Sequence, residues 1–334
     1  MSAPQDHDFQ APPPPPMPET EPQAPRPTKQ LWPIAIGVFV VGLLLVVGGI
    51  TGLLRGATGG GVALCIVGLV MFGLSFIRLP LVPNPEAPLP WFNRLTGIFY
   101  EPSRVFRNLR SNPNWIAPFL LLWVLTAIYS TAFIQRITPQ RIVEHTVEKT
   151  TQAFSPPPEA VERMRTDQMD AYTNPIARGA QILQAAAFIF IFTAAIAALC
   201  FLALLVFGGR SNFWQVFAVL LHAAVPIAVI TKLLGLVILY LKSPDDLHPI
   251  LNQDTTLQDN LSILFTPATN PVLFTIASYI GLMSFYSLWL RAKGFHLGST
   301  RVSSGAGWGV ALTLFFLSML LWTIISALFG QFIS

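Results

Sequence analysis

"FYEPSRVFRNLRSNPNWIAPFLLLW", Phe99 to Trp123, changes character halfway along. Its first half sets Arg104, Arg107 and Arg110 among proline, glutamate and asparagine; after Trp115 it is almost wholly apolar. A helix rises 1.5 Å per residue and a bilayer core is about 30 Å thick, so about 20 apolar residues make one crossing. If a helix starts near Pro102, then Val105, Phe106 and Leu109 share one face and the three arginines lie beside or opposite it, the pattern of a helix resting on a membrane surface. A basic amphipathic stretch feeding a crossing helix predicts an integral membrane protein.

The rest of the chain agrees. Of 334 residues, 53% are hydrophobic and 11% charged, against about a quarter charged in soluble domains, and the mean hydropathy is +0.57. Apolar runs cover Pro33–Leu54, Val62–Leu81, Trp115–Phe133, Gly179–Phe207, Phe213–Leu241, Pro271–Trp289 and Trp308–Phe329. Unpaired backbone groups in hydrocarbon cost several kcal/mol each, and the runs lack the two-residue alternation of barrel strands. The expected fold class is all-α, a polytopic transmembrane bundle of seven spans.

Four regions follow. Residues 1–30, rich in Pro, Gln and acids, predict a disordered cytoplasmic tail. Residues 31–81 predict a transmembrane hairpin, 82–114 the basic interfacial segment, and 115–334 a five-span domain with an outer loop, 134–178. In that loop Thr138 and Ser155 read as N-caps of two short helices, each followed by proline. Glycine and alanine at close intervals predict tight helix packing: a Gly48/Gly52 pair in the first span, Gly68 and Gly73 in the second, and the alanines of the fourth. Such faces serve contacts within one chain or between copies.

Lysine and arginine are enriched on the cytoplasmic side of membrane proteins. An internal N-terminus places Lys29, Arg78, Arg94, Arg104, Arg107, Arg110, Arg210, Arg291, Lys293 and Arg301 on that side; opposite fall Arg55 and Lys242, the acids Asp245, Asp246, Asp254 and Asp259, and the segment 134–178, whose bases Arg136, Arg141, Lys149, Arg163, Arg165 and Arg178 balance its acids. Trp32, Trp115, Trp214, Trp289 and Trp308 then all mark cytoplasmic span ends, as headgroup-level indoles do. Seven spans leave the C-terminus outside. The net charge of +4 is spread over short flanking loops instead of one stripe, which argues against a nucleic-acid partner.

Chemistry is sparsely marked. Cys65 and Cys200 lie in predicted spans, no cysteine or histidine spacing reads as a metal site, and "RGATGGG" lacks the Lys-Ser/Thr ending of a phosphate loop. Neither a catalytic constellation nor a cofactor site is read. The membrane-surface anchor consists of Arg104, Phe106, Arg107, Leu109, Arg110 and Trp115, each basic group being worth about 1 kcal/mol near anionic headgroups. Lys232 is the sharpest anomaly, a cation inside the fifth run, where an ionisable group costs about 3 kcal/mol. Either Lys232 snorkels to the outer headgroups from a helix kinked at Pro226, or His222, Pro226 and Lys232 line a polar cavity with Asn270, Ser278, Tyr279, Ser284 or Tyr286.

"GIFYEPSRVFRNLRSNPNWIAPFLLLW", the outer segment, the alanine-rich span, "GGRSNFWQVFAVLLHAAVP" and the acidic loop together resemble the Yip-domain family in its bacterial form, over about residues 90–330. The residues that carry the resemblance are Pro102 and Phe106, Trp115 and Pro118, and Phe217, His222 and Pro226. It implies a five-span bundle with a cytoplasmic N-terminal side, in a bacterial inner membrane, and no enzymatic signature. Eukaryotic relatives are associated with Rab GTPases through an Asp-Leu-Tyr-Gly-Pro type motif; its absence here argues against a Rab partner. The expected function is a membrane scaffold or partner-recruiting protein, working through the bilayer and through protein or homo-oligomeric helix contacts. A transporter subunit with a site near His222, Pro226 and Lys232 is the alternative.

Overall fold

The computed structural model describes residues 31–54, 56–77, 82, 86–249, 257, 259–266 and 269–333. The proline-rich tail, Arg55, Arg78 and Asp254 lie outside the described residues. The described chain is helical: α1 Leu31–Ile50, α2 Thr58–Leu74, α3 Trp91–Tyr100, α4 Pro102–Ser111, α5 Ile116–Ile137, α6 Pro139–Phe154, α7 Pro158–Thr173, α8 Pro175–Val206, α9 Phe213–Leu241, α10 Pro271–Ser278, α11 Leu282–Gly298 and α12 Ser304–Ile333. Five helices, α1, α5, α8, α9 and α12, are long and apolar enough to cross a membrane, and α2 is a shorter apolar helix.

The sixth expected run, Pro271–Trp289, is not one helix: α10 stops at Ser278 and α11 begins at Leu282. The break is imposed by a segment about 20 residues upstream. Asn260 forms an antiparallel bridge with Gly281, the Leu261 N–H donates to Ile280 O at 3.0 Å, and Asp259 Oδ2 accepts from the Met283 N–H at 2.9 Å, capping α11. A Cβ at Gly281 would come within 2.6 Å of Asn260 Cβ, so the inserted loop needs glycine there. Restarted in this way, α11 runs past Trp289 and carries Arg291, Lys293 and His296 within a helix.

Caps fix where the longest helices begin. Asn174 Oδ1 accepts from the Ile176 N–H at 2.9 Å, with Pro175 opening α8. Asn212 and Gln215 form a reciprocal capping box at the start of α9. The expected pair of outer helices is present as α6 and α7. Thr138 and Pro139 stand at the start of the first as read, but the Thr138 side chain makes no capping hydrogen bond; Ser155 closes α6 in a left-handed conformation (φ 46°) and Pro157 precedes α7. Pro156 and Pro157 move the restart downstream, since the residue before a proline avoids the helical region.

The hairpin packs through other glycines than the expected Gly48/Gly52 pair. Gly52 lies in the turn at φ 76°, and nothing approaches Gly73. A Cβ at Gly42 would sit 2.7 Å from Cys65 N, and one at Gly61 2.6 Å from Val46 N, so the α1 and α2 backbones nearly touch. Gly60 meets Ala180 of α8 in the same way, at 2.9 Å, which docks the hairpin on the main bundle.

The bundle has two distinct ends. At one, α3, α4 and the 208–212 and 299–303 connections meet, and Arg210 and Arg301 exchange backbone hydrogen bonds of 2.7 and 3.0 Å. At the other lie α6, α7 and the 3-10 turn Pro244–Asp246, where Arg141 reaches Pro244 O and the Asp245 carboxylate.

Candidate functional site

The family-like residues converge at the α4 end. Val105, Phe106 and Leu109 of α4 are at most 1% exposed, and Phe217 and His222 of α9 at most 1%. Gly294 of α11 lets α4 and α9 close in, because a Cβ there would lie 2.5 Å from Val219 Cγ1 and 3.0 Å from Phe106 Cε1. The apolar face expected to enter lipid is therefore covered by protein. An interfacial helix and a core-docked helix share the same periodicity, and burial separates them.

Two tryptophans depart from the expected belt for a related reason. Trp115 (9% exposed) and Trp214 (1%) stack with centroids 6.3 Å apart, surrounded by Phe119, Phe190 and Phe217. Trp214 Nε1–H donates to Ile77 O at 3.2 Å, satisfying the indole internally. Trp32, Trp289 and Trp308 remain exposed.

A polar clasp secures this end, and most of its members carry little sequence signal. Asn108, 1% exposed, donates to Ala87 O at 2.8 Å and accepts from the Leu89 N–H at 3.2 Å, tying the chain before α3 to α4. Gln215, fully buried, donates to Arg110 O at 2.7 Å and accepts from the Asn212 N–H at 3.0 Å. Arg110 donates to Thr300 O at 3.0 Å, and the Ser211 and Ser299 hydroxyls meet at 2.9 Å. The Asn-x-x-Gln spacing at Asn212 was the one readable cue. Of the anchor arginines, Arg104 pairs with Glu101 at 3.2 Å and Arg107 is exposed. Arg94, counted among the aqueous charges, is only 5% exposed.

His222, Pro226 and Lys232 do not share a described pocket. His222 Nδ1–H donates to Ala218 O of its own helix at 2.9 Å, and Pro226 is buried. Lys232, about 15 Å farther along α9, places Nζ 4.7 Å from the Tyr129 ring centroid, a cation–π distance. It lines a cavity of 170 Å³ with Tyr129, Thr231, Gly235, Leu257, Asp259 and Asn260. Three of the expected partners from the sixth run engage other groups: Ser278 donates to Thr275 O at 2.7 Å, Tyr279 packs on Phe315 and Tyr286 stacks on Trp289. Among the described residues no group of three or more His, Cys, Asp or Glu side chains is arranged to hold a metal.

At the α6 end, His145 and His248 meet edge to face with centroids 5.1 Å apart. They line a 510 Å³ depression with Arg141, Glu144, Glu148, Asp245 and Asp246. Burial pushes both imidazoles below their ordinary value; Lys149 and Arg141 add to this, Glu148 opposes it for His145, and His145 lowers His248 further.

This arrangement defines a multi-pass helical membrane protein whose α4 end is closed by a packed aromatic and polar clasp. The Yip1 domain family model matches residues 96–326, well over half of the chain, and the protein belongs to that family. The hairpin α1–α2 precedes the matched region. Comparisons with curated proteins and with solved structures return no match.

Proposed function

We propose that this Yip1-domain protein is a non-enzymatic membrane scaffold that recruits partners at its α4 end, in the inner membrane of a bacterium, with that end and the N-terminus cytoplasmic and the C-terminus outside. The observation that carries the reading is the placement of the family-like residues: Phe106, Trp115, Phe217 and His222 are all packed inside. They hold α4 rigidly, so that Arg104 and Arg107 stand out from a fixed platform. A preorganised surface binds with less ordering cost than a mobile loop. The test is in-cell photocrosslinking from position 104, read by mass spectrometry. The expected outcome is a discrete neighbour captured from position 104 and not from position 159 on α7. Equal capture from both, in proportion to protein abundance, refutes the scaffold.

A second reading, a permease subunit, is supported by the Lys232 cavity, where a carboxylate, Asp259, lines the same space as the cation. Lys232→Leu then abolishes uptake of a solute by a chain that still folds; unchanged uptake of every solute carried by the wild type removes it.

A further inference from the structure

A further cavity lies at the α4 end and shares Arg107 with the platform of the first reading. It encloses 390 Å³ between α4, α11 and α12, and is lined by Ser103, Arg107, Trp289, Ala292, Lys293, His296, Leu297, Ser304 and Trp308. Three of these side chains are basic or titratable bases, and none is acidic. Glu101, the acid nearest in sequence to the α4 part of the lining, is paired with Arg104. Lys293 is held in place, its Nζ 4.7 Å from the Trp289 ring centroid. His296 donates Nδ1–H to Val302 O at 2.7 Å, which fixes its ring in the wall, and the donors to an anion are Arg107 and Lys293. Two helices also begin here, with Ser103 in the first turn of α4 and Ser304 opening α12, so both bring the positive ends of their dipoles to the cavity.

The surface beyond the cavity changes chemistry. Trp289 (37% exposed) and Trp308 (39%) stand in its lining, and Phe285, Leu282, Leu312 and Phe316 follow them at helical spacing, all exposed. A cationic recess thus leads directly into two apolar ridges on α11 and α12. A phosphate ester alone matches the recess; a phosphate ester carrying acyl chains matches the recess and the ridges together. We infer that this cavity is a binding site for the phosphate headgroup of an anionic phospholipid, with its chains along α11 and α12.

The experiment uses the full chain in nanodiscs and native mass spectrometry, comparing phosphatidylglycerol with phosphatidylcholine of the same acyl composition. The wild type is expected to retain phosphatidylglycerol in preference. Arg107→Gln with Lys293→Gln should weaken that retention about tenfold or more, as expected for two surface charges near lipid, while Arg163→Gln with Arg165→Gln on α7, equal in charge change, leaves it intact. Trp308→Ala should weaken retention of both lipids. An unchanged unfolding midpoint confirms that each variant folds, and Arg107→Gln alone serves if the double variant does not. Equal retention of the two lipids, or no loss in an Arg107 variant, overturns the site. Displacement of the lipid by millimolar inorganic phosphate assigns the recess to a soluble phosphate compound and overturns the lipid assignment.

Discussion

At Gly294 the packing of three helices depends on a missing side chain. A Cβ would come within 2.5 Å of Val219 Cγ1 and 3.0 Å of Phe106 Cε1, both in fully buried surroundings, and overpacking of this kind costs about 1–3 kcal/mol. Gly294→Val is expected to lower the unfolding midpoint in detergent and to make α4 sensitive to protease, whereas Gly305→Ala, whose nearest neighbour is 4.0 Å away, leaves both unchanged. Asn108→Ala is expected to cost a similar amount for a different reason: it strands Ala87 O and the Leu89 N–H, which Asn108 now satisfies. Thermal unfolding followed by tryptophan fluorescence checks both, and an unaltered midpoint for Asn108→Ala would mean that water replaces the amide. Sequence made Trp115 and Phe217 visible as family-like positions but assigned Trp115 and Trp214 to a headgroup belt. An indole at a span end has the same one-dimensional signature whether its N–H meets a headgroup or, as for Trp214, the carbonyl of Ile77.

Among the elements, α4 and the α10–α11 pair show what periodicity does and does not decide. The amphipathic spacing of Val105, Phe106 and Leu109 correctly located a helix, but the covering surface comes from Val219 and Gly294, far away in sequence. The break at Tyr279–Gly281 left no Pro inside an otherwise apolar run; its cause is the long-range insertion of Asp259 and Asn260. The outer helices α6 and α7 were legible because Thr138, Pro139 and the proline run signal starts locally. The turn Pro244–Asp246 and His248 dock on α6 through Arg141 and the His145 ring, and Leu247 is 3% exposed. Both imidazoles have their folded-state pKa lowered from 6.5, mainly by burial, so docking favours the neutral rings. The docked form is fully favoured well above pH 6.5, where the rings are neutral in both states. As pH falls through that value the undocked form takes up protons first, and docking weakens until the docked pKa is passed. The groups facing the pair are Arg141, Glu144, Glu148 and Lys149 on α6 and Asp245 and Asp246 on the turn. Hydrogen exchange at residues 245–248 is therefore expected to rise between pH 7.5 and 5 relative to the intrinsic rate. His145→Gln with His248→Gln should flatten that profile, and a wild-type profile already flat would remove the device.

For the whole molecule, 11% charge cannot cover a soluble surface of this size, and apolar runs of about 20 residues without two-residue alternation made helices in lipid legible. Hydropathy cannot say which end faces which compartment; that rests on the distribution of charge. The structure groups Arg104, Arg107, Arg210, Lys293 and Arg301 at the α4 end, where α3, α4 and the Arg210–Arg301 bridge meet. The α6 end holds the acids Glu144, Glu148, Asp245 and Asp246 beside the bases Arg141 and Lys149, so its charges offset one another. If positive charge is retained inside, the α4 end is cytoplasmic, and a return crossing by the shorter α2 after α1 would bring the chain back to the compartment in which it began. In a chain with Cys65 and Cys200 replaced by alanine, Ser2→Cys and Ser111→Cys should both resist a membrane-impermeant maleimide added to intact cells and react after permeabilisation. Glu159→Cys on α7 should react at once. Labelling of Ser111→Cys and Ser2→Cys from opposite sides would mean that α1 and α2 together cross an odd number of times, and the platform at the α4 end would then face away from the compartment where its proposed partners reside.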